Sequence, residues 1–357
     1  MGNRRMELGS EYHLDLSEIH EEENNIFRYL SSFPYAIFYD SGRSAIREFV
    51  RMLKEDCVIL LPEYICESVI RCFPRDRIQF YRIQQDFTID LKDVRKKMIR
   101  QGGVFFLMQY FGKLQPEDTI SEVERLAEQN DYIILEDTTH SIFSAAQTIG
   151  DYMVCSLRKW MPLSQGGVLY TANNRIGLPD AMIKKSIDNR RSEGFVLKSL
   201  FLNGEGDYNA DYRRIFEECE KSLDQQTESY FLSDFNRFVA GCIDVKQLVD
   251  QRKMNARRLR ALLGTAFPFL MDYGDDECPL GIPLRVPERD RFRQYLMENH
   301  IYCAVHWPFD GICSEVRINA VRNARELITL PIDQRYSEEH MKYLADVILK
   351  YGGKLSF

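Results

Sequence analysis

The chain has 357 residues, 45% hydrophobic and 28% charged, with a net charge of -7. That size suits one large and one smaller domain of ordinary globular composition. The acidic balance and the absence of a basic block argue against a nucleic-acid binder, and no apolar run is long enough to span a membrane. The opening residues, Met1-Gly2-Asn3-Arg4-Arg5, lead into acidic sequence and not into the apolar core of a signal peptide. Nine cysteines are scattered without a CxxC pair, and the number is odd. Several, such as Cys57 and Cys155, lie in apolar runs. Reduced thiols in a cytoplasmic protein are therefore expected, with no metal site.

In chain order, residues 14–32 read as an amphipathic helix with Leu16, Ile19, Ile26 and Leu30 on one side. A strand at 36–39 runs into the turn Ser41-Gly42-Arg43-Ser44, and 45–53 reads as a helix. Such a strand-to-helix turn presents backbone N–H groups to an anion. Strands at 57–61, 78–81, 104–109 and 132–135 alternate with helices at 63–72, 91–100 and 116–129. This alternation predicts an α/β fold with a mostly parallel sheet covered by helices. Further on, 178–192 and 208–224 read as polar helices or loop, and 232–263 as one long helix. The charges of Arg252, Lys253, Arg257, Arg258 and Arg260 are expected on its solvated face. A smaller α+β region closes the chain, with strands at 280–286 and 327–330 and helices at 288–299 and 337–351. The expected division is a large domain over 1–250 and a small one over 251–357.

The stretch 150–170 carries the chemistry. An apolar run at 152–155 ends in Ser156, Lys159 follows three residues later, and then come Trp160-Met161-Pro162-Leu163 and the Gly166-Gly167 pair. These neighbours are expected to crowd Lys159 inward, and a desolvated lysine is a usable amine nucleophile. The reading is that Lys159 carries pyridoxal 5'-phosphate (PLP) as a Schiff base. Asp137, at the end of a strand, would face the pyridine nitrogen, and the Gly42-Arg43-Ser44 turn with Ser156 would cup the phosphate. All of these fall at the carboxyl ends of predicted strands, where ligands bind in such sheets.

The ordered set of motifs resembles the DegT/DnrJ/StrS sugar aminotransferases, PLP enzymes of fold type I, the aspartate aminotransferase fold. The similarity runs from about residue 35 to the end. It rests on Ser41-Gly42-Arg43-Ser44-Ala45-Ile46, Leu61-Pro62-Glu63-Tyr64, Gln109-Tyr110-Phe111-Gly112-Lys113 and Glu136-Asp137-Thr138-Thr139-His140. Gly150-Asp151, Ser156, Lys159 and Gly166-Gly167 follow in order, then Arg252-Lys253-Met254-Asn255-Ala256 and Leu330-Pro331-Ile332.

The resemblance implies that Lys159 holds the cofactor and moves a proton, with Asp137 on the pyridinium nitrogen. It places His140 near the ring's phenolate oxygen, although a histidine capping a helix start would look the same. Tyr64 is the expected ring-stacking aromatic, with Cys66 as the alternative position. A homodimer with shared active sites is implied, the partner reaching in near 229–233, together with an amino donor such as glutamate and a nucleotide-sugar acceptor. Three features depart from the family pattern. The spacing from Ser156 to Lys159 is compact, Arg43 stands where threonine is common, and 229–231 lacks the usual asparagine and arginine. Lys159 itself argues against the dehydratase branch, which carries histidine there. Other PLP chemistry on an amino acid, or a non-catalytic binding or regulatory protein, are the competing readings.

Overall fold

The computed structural model describes residues 5–351 except 18, 100–101, 145–147, 175, 178–183, 266, 268 and 309–317. In chain order come β1 (Leu8–Gly9), α1 (Ile26–Tyr29), β2 (Tyr35–Tyr39), α2 (Gly42–Val50), β3 (Val58–Pro62), α3 (Glu67–Ile70), β4 (Ile78–Tyr81) and α4 (Leu91–Lys97). Next are β5 (Gly103–Met108), α5 (Glu117–Asn130), β6 (Tyr132–Asp137), β7 (Tyr152–Ser156), β8 (Gly167–Thr171), α6 (Arg190–Leu202), α7 (Asn209–Gln225) and α8 (Asp234–Gly241). The chain finishes with α9 (Val245–Leu263), β9 (Ile282–Arg285), α10 (Arg289–Glu298), β10 (Ile301–Tyr302), α11 (Ile318–Glu326), β11 (Leu327–Leu330) and α12 (Glu338–Lys350).

Seven strands form the main sheet in the order β2-β8-β7-β6-β5-β3-β4. The pairs β3–β4, β3–β5, β5–β6 and β6–β7 are parallel, while β8 runs antiparallel to both β7 and β2. β5 is buried along its whole length, as a strand covered on both faces must be. One apolar cluster contains Phe49, Leu60, Phe106 and Leu126. A second gathers Trp160, Phe195 and Leu248. The third, with Leu259, Phe292 and Leu344, is the core of the C-terminal part, where β9 pairs antiparallel with β11. The chain is thus α/β with a mostly parallel sheet and a smaller α+β part.

Several elements differ from the periodicity reading, each for a local reason. The helix expected over 14–32 shrinks to α1 and a 3-10 turn at Leu30–Ser32. Asn25 caps the N–H groups of Phe27 and Arg28, so the helix starts there. The helix expected over 63–72 begins only at Glu67, because the Glu63 N–H donates to Tyr81 O and prolongs the sheet. The long helix expected over 232–263 is two helices. α8 ends at Gly241, and Asp244 caps α9 through the Gln247 N–H. The first part of the segment expected over 178–192 lies outside the described residues, and α6 follows it from Arg190.

Candidate active site

A cavity of about 1090 Å³ opens beside the carboxyl ends of β5, β6 and β7, reached by Met108, Asp137 and Ser156. α2 points its N-terminus there. Ser41 caps that helix by accepting from the Ser44 N–H at 3.1 Å. The free amides of the first turn and the positive end of the helix dipole favour an anion. Gly42 lines the cavity, and a Cβ added to it would stand 3.1 Å from the Ser156 Cβ. Behind the turn, Gly167 lies so close to Ser41 that a Cβ would sit 1.9 Å from its carbonyl oxygen. This explains half of the Gly166-Gly167 pair: β8 can pass under the turn only with a bare backbone.

Asp137 ends β6 and is buried. Burial raises its carboxyl above the ordinary value, and hydrogen bonding from Thr139 only partly opposes this. Its Oδ1 accepts from the Thr139 N–H at 2.9 Å. Among the described residues, no lysine or arginine pairs with it. Thr139 in turn accepts from the Ser156 N–H through Oγ1 at 3.0 Å, which ties the ends of β6 and β7 together. A buried carboxylate of this kind calls for a cationic or proton-donating ligand atom.

Lys159 closes a 3-10 turn, Leu157–Lys159, directly after β7 and lines the same cavity. It is exposed, which corrects the expectation that its neighbours crowd it inward. The buried places are taken by Leu157, Trp160, Met161 and Leu163, leaving Lys159 on the cavity side of the turn. Its charge reaches three groups. Burial above all, then His306 and Lys159, push the His140 imidazole well below its usual value. Burial and Lys159 push His306 down to about 3. Glu220 is raised by burial, but Arg158 and Arg191 outweigh this and Lys159 adds to them, giving about 2.

His140 is buried, and its Nδ1 accepts from the Phe111 N–H at 3.3 Å, so the neutral ring carries its proton on Nε2. Sequence reasoning did not single out its neighbours. The Trp307 ring stacks on His140, and the His306 ring meets it edge-on at 5.5 Å. His306 is anchored by Thr329 Oγ1 at 2.9 Å from Nδ1. One clue was available: Trp307 is one of only two tryptophans in the chain.

The other predicted residues separate. Arg43 lines the cavity and pairs with Asp224 at 2.6 Å. Ser44 does not line it; its fully buried hydroxyl lies 3.0 Å from Ser41 Oγ and accepts from Arg47. Tyr64 also lies outside the lining. Its ring is buried against Tyr110 and Trp307, while Cys66, two residues on, reaches the cavity. The cause is the extended chain before α3, which turns Tyr64 into the core. Arg252, expected on a solvated face, is only 1% exposed.

No family model and no curated protein matches the chain. Solved structures do share its fold. The sugar aminotransferase CalS13 from Micromonospora echinospora has a TM-score of 0.65 at 15% identity, over 95% of this chain and 94% of that one. DesV of S. venezuelae gives 0.64 at 14% identity, over 91% and 87%. A DegT DnrJ EryC1 StrS aminotransferase from Brucella abortus gives 0.62 at 14% identity, over 92% and 88%. The chain therefore has the fold type I architecture of these aminotransferases.

Proposed function

We propose that this protein is a PLP-dependent aminotransferase that moves an amino group from an amino acid, glutamate by preference, to a keto group on a nucleotide-linked sugar. What carries the reading is a convergence on one cavity: the Lys159 amine, the buried Asp137 carboxylate and the anion-ready N-terminus of α2. The residues fit the cofactor. Asp137 lacks a cationic partner among the described residues, and the bare Gly42 beside Ser156 leaves room for a phosphate against backbone amides. When bound, PLP supplies an electron sink for the carbon that gains or loses a proton.

Each side chain then has its task. Lys159 would hold the cofactor through its amine and would move a proton to and from the substrate carbon. Asp137 holds the proton on the pyridine nitrogen. The Gly42 and Arg43 amides, with Ser156, bind the phosphate. His140, neutral and with its proton on Nε2, would donate to the phenolate oxygen. Cys66, the alternative position, would pack against the cofactor ring in place of Tyr64. Arg43, Arg158, Arg191 and Arg335 also line the cavity, each paired with a carboxylate: Asp224, Glu220, Glu11 and Asp333 respectively. The active protein would be a homodimer with shared sites.

The test is direct. PLP added to purified protein should give visible absorbance, and borohydride should fix the cofactor on the peptide containing Lys159. Glutamate should then shift the absorbance of unreduced protein. Fixation spread evenly over surface lysines would overturn the proposal. Specific fixation with no response to any amino donor would favour a non-catalytic role.

A further inference from the structure

Arg252 is the feature that the proposed chemistry leaves unused. It projects from α9, is 1% exposed, and has no ion-pairing carboxylate among the described residues. Burying a guanidinium is costly unless its donors are satisfied. Here they are satisfied by neutral groups. Nε donates to Gln334 Oε1 at 2.9 Å, Nη1 to Leu280 O at 2.8 Å and Nη2 to the Tyr12 hydroxyl at 2.8 Å. Its guanidinium lies 4.6 Å from the centroid of the Trp160 ring.

The two acceptors that are side chains pass the contact on. The Tyr12 hydroxyl donates to Lys159 O at 3.3 Å. Gln334 donates through Nε2 to Trp160 O at 2.7 Å. Two successive carbonyls of the Lys159 turn are therefore held by residues remote in sequence, both oriented by one cation. The turn's own bonds, from the Trp160 and Met161 N–H groups, both end on Leu157 O and leave those two carbonyls free. A hydroxyl that accepts from a cation is also a better donor. Arg335, 4.4 Å over the Tyr12 ring, fixes that ring in plane.

Resting on the PLP reading above, we infer that Arg252 is a positioning residue: acting through Tyr12 and Gln334, it sets where the Lys159 amine stands in the cavity. The N-terminal segment, through Tyr12, and the loop before α12, through Gln334, thus act on the backbone of the reactive lysine's turn.

Tyr12→Phe and Gln334→Glu test this more cleanly than a change at Arg252. Each removes the donor to one carbonyl; Gln334→Glu keeps an acceptor for Arg252 Nε, whereas Tyr12→Phe also takes the acceptor from Nη2. In cofactor-free protein, labelling of Lys159 by trinitrobenzene sulfonate would be followed across pH by peptide mass spectrometry, with Lys221 as the exposed reference. The expected result is an altered Lys159-to-Lys221 ratio in Tyr12→Phe, by about fivefold, the effect of one lost hydrogen bond. The thermal midpoint should fall in Tyr12→Phe, where the buried Nη2 loses its acceptor, and stay near that of the parent in Gln334→Glu. An unchanged ratio and pH profile in both variants would overturn the inference, whatever their stability. Should Tyr12→Phe fail to fold, Gln334→Glu decides. PLP fixation by borohydride runs in parallel. A parent protein that fixes no PLP on Lys159 sinks the cofactor reading, while the labelling ratio still decides the positioning role.

Discussion

The Trp307 indole lies nearly parallel to the His140 imidazole, with centroids 5.6 Å apart and planes 22° off. His140 comes from the end of β6 and Trp307 from the loop after β10, so the two parts of the fold meet at this contact. His140 is buried at this contact, and burial is the leading cause that pushes its imidazole well below the usual value.

Trp307→Ala should therefore move the His140 titration upward, towards the ordinary histidine value, because burial is the leading cause of its depression. Histidine NMR titration reads this, with Trp307→Phe as the control that keeps the stack. Cofactor affinity should fall about three- to tenfold, in line with one aromatic contact. A His140 midpoint unmoved in Trp307→Ala would show that Trp307 does not shield it.

Stability should fall as pH drops below about 6.5, the ordinary histidine value. His306 is held down to about 3, chiefly by burial, with Lys159 adding to the effect. Between those values the unfolded chain binds a proton that the folded one refuses. Each such histidine therefore removes about 1.4 kcal/mol per pH unit on acidification. Urea midpoints at a series of pH values check this. His306→Asn should flatten the slope, and a slope unchanged by that substitution would contradict it.

Asp137→Asn should retain the fold, because the amide keeps an oxygen for the Thr139 N–H. It should weaken PLP binding about 10- to 100-fold, the usual range for losing a charged hydrogen bond. Equilibrium titration by absorbance measures the loss. Parent-like affinity in this variant would remove Asp137 from the cofactor's partners.

Gly167→Ala and Gly42→Ala should differ in kind. The first drives a Cβ to 1.9 Å from Ser41 O, backbone against backbone, and should cost about 3 kcal/mol or more in urea unfolding. The second meets the Ser156 Cβ at 3.1 Å and should change stability by less than about 1 kcal/mol while weakening phosphate binding. Inorganic phosphate competition against PLP separates the two effects. Equal stability losses would contradict this reading of the turn.

The alternation of strands and helices was legible because each strand is a short apolar run and each main helix has its own period or cap. The candidate site was legible where residue order marks the ends of strands: the Ser41–Ser44 turn between a strand and a helix, and Asp137 and Ser156 at strand ends. Tyr64 and Ser44 were misplaced for a shared reason. The neighbouring chain decides whether a side chain faces the cavity or the core: Tyr64 packs into the core while Cys66, two residues on, reaches the cavity.

Composition, strand-helix alternation and the local residue order determined the α/β class and put Lys159, Asp137 and the α2 turn at the same edge of the sheet. Only the tertiary structure decided that Lys159 faces open cavity, that Trp307 stacks on His140, and that a buried arginine reaches the lysine through Tyr12. Those relations join residues more than a hundred positions apart. They depend on which faces pack together, and no local periodicity encodes that.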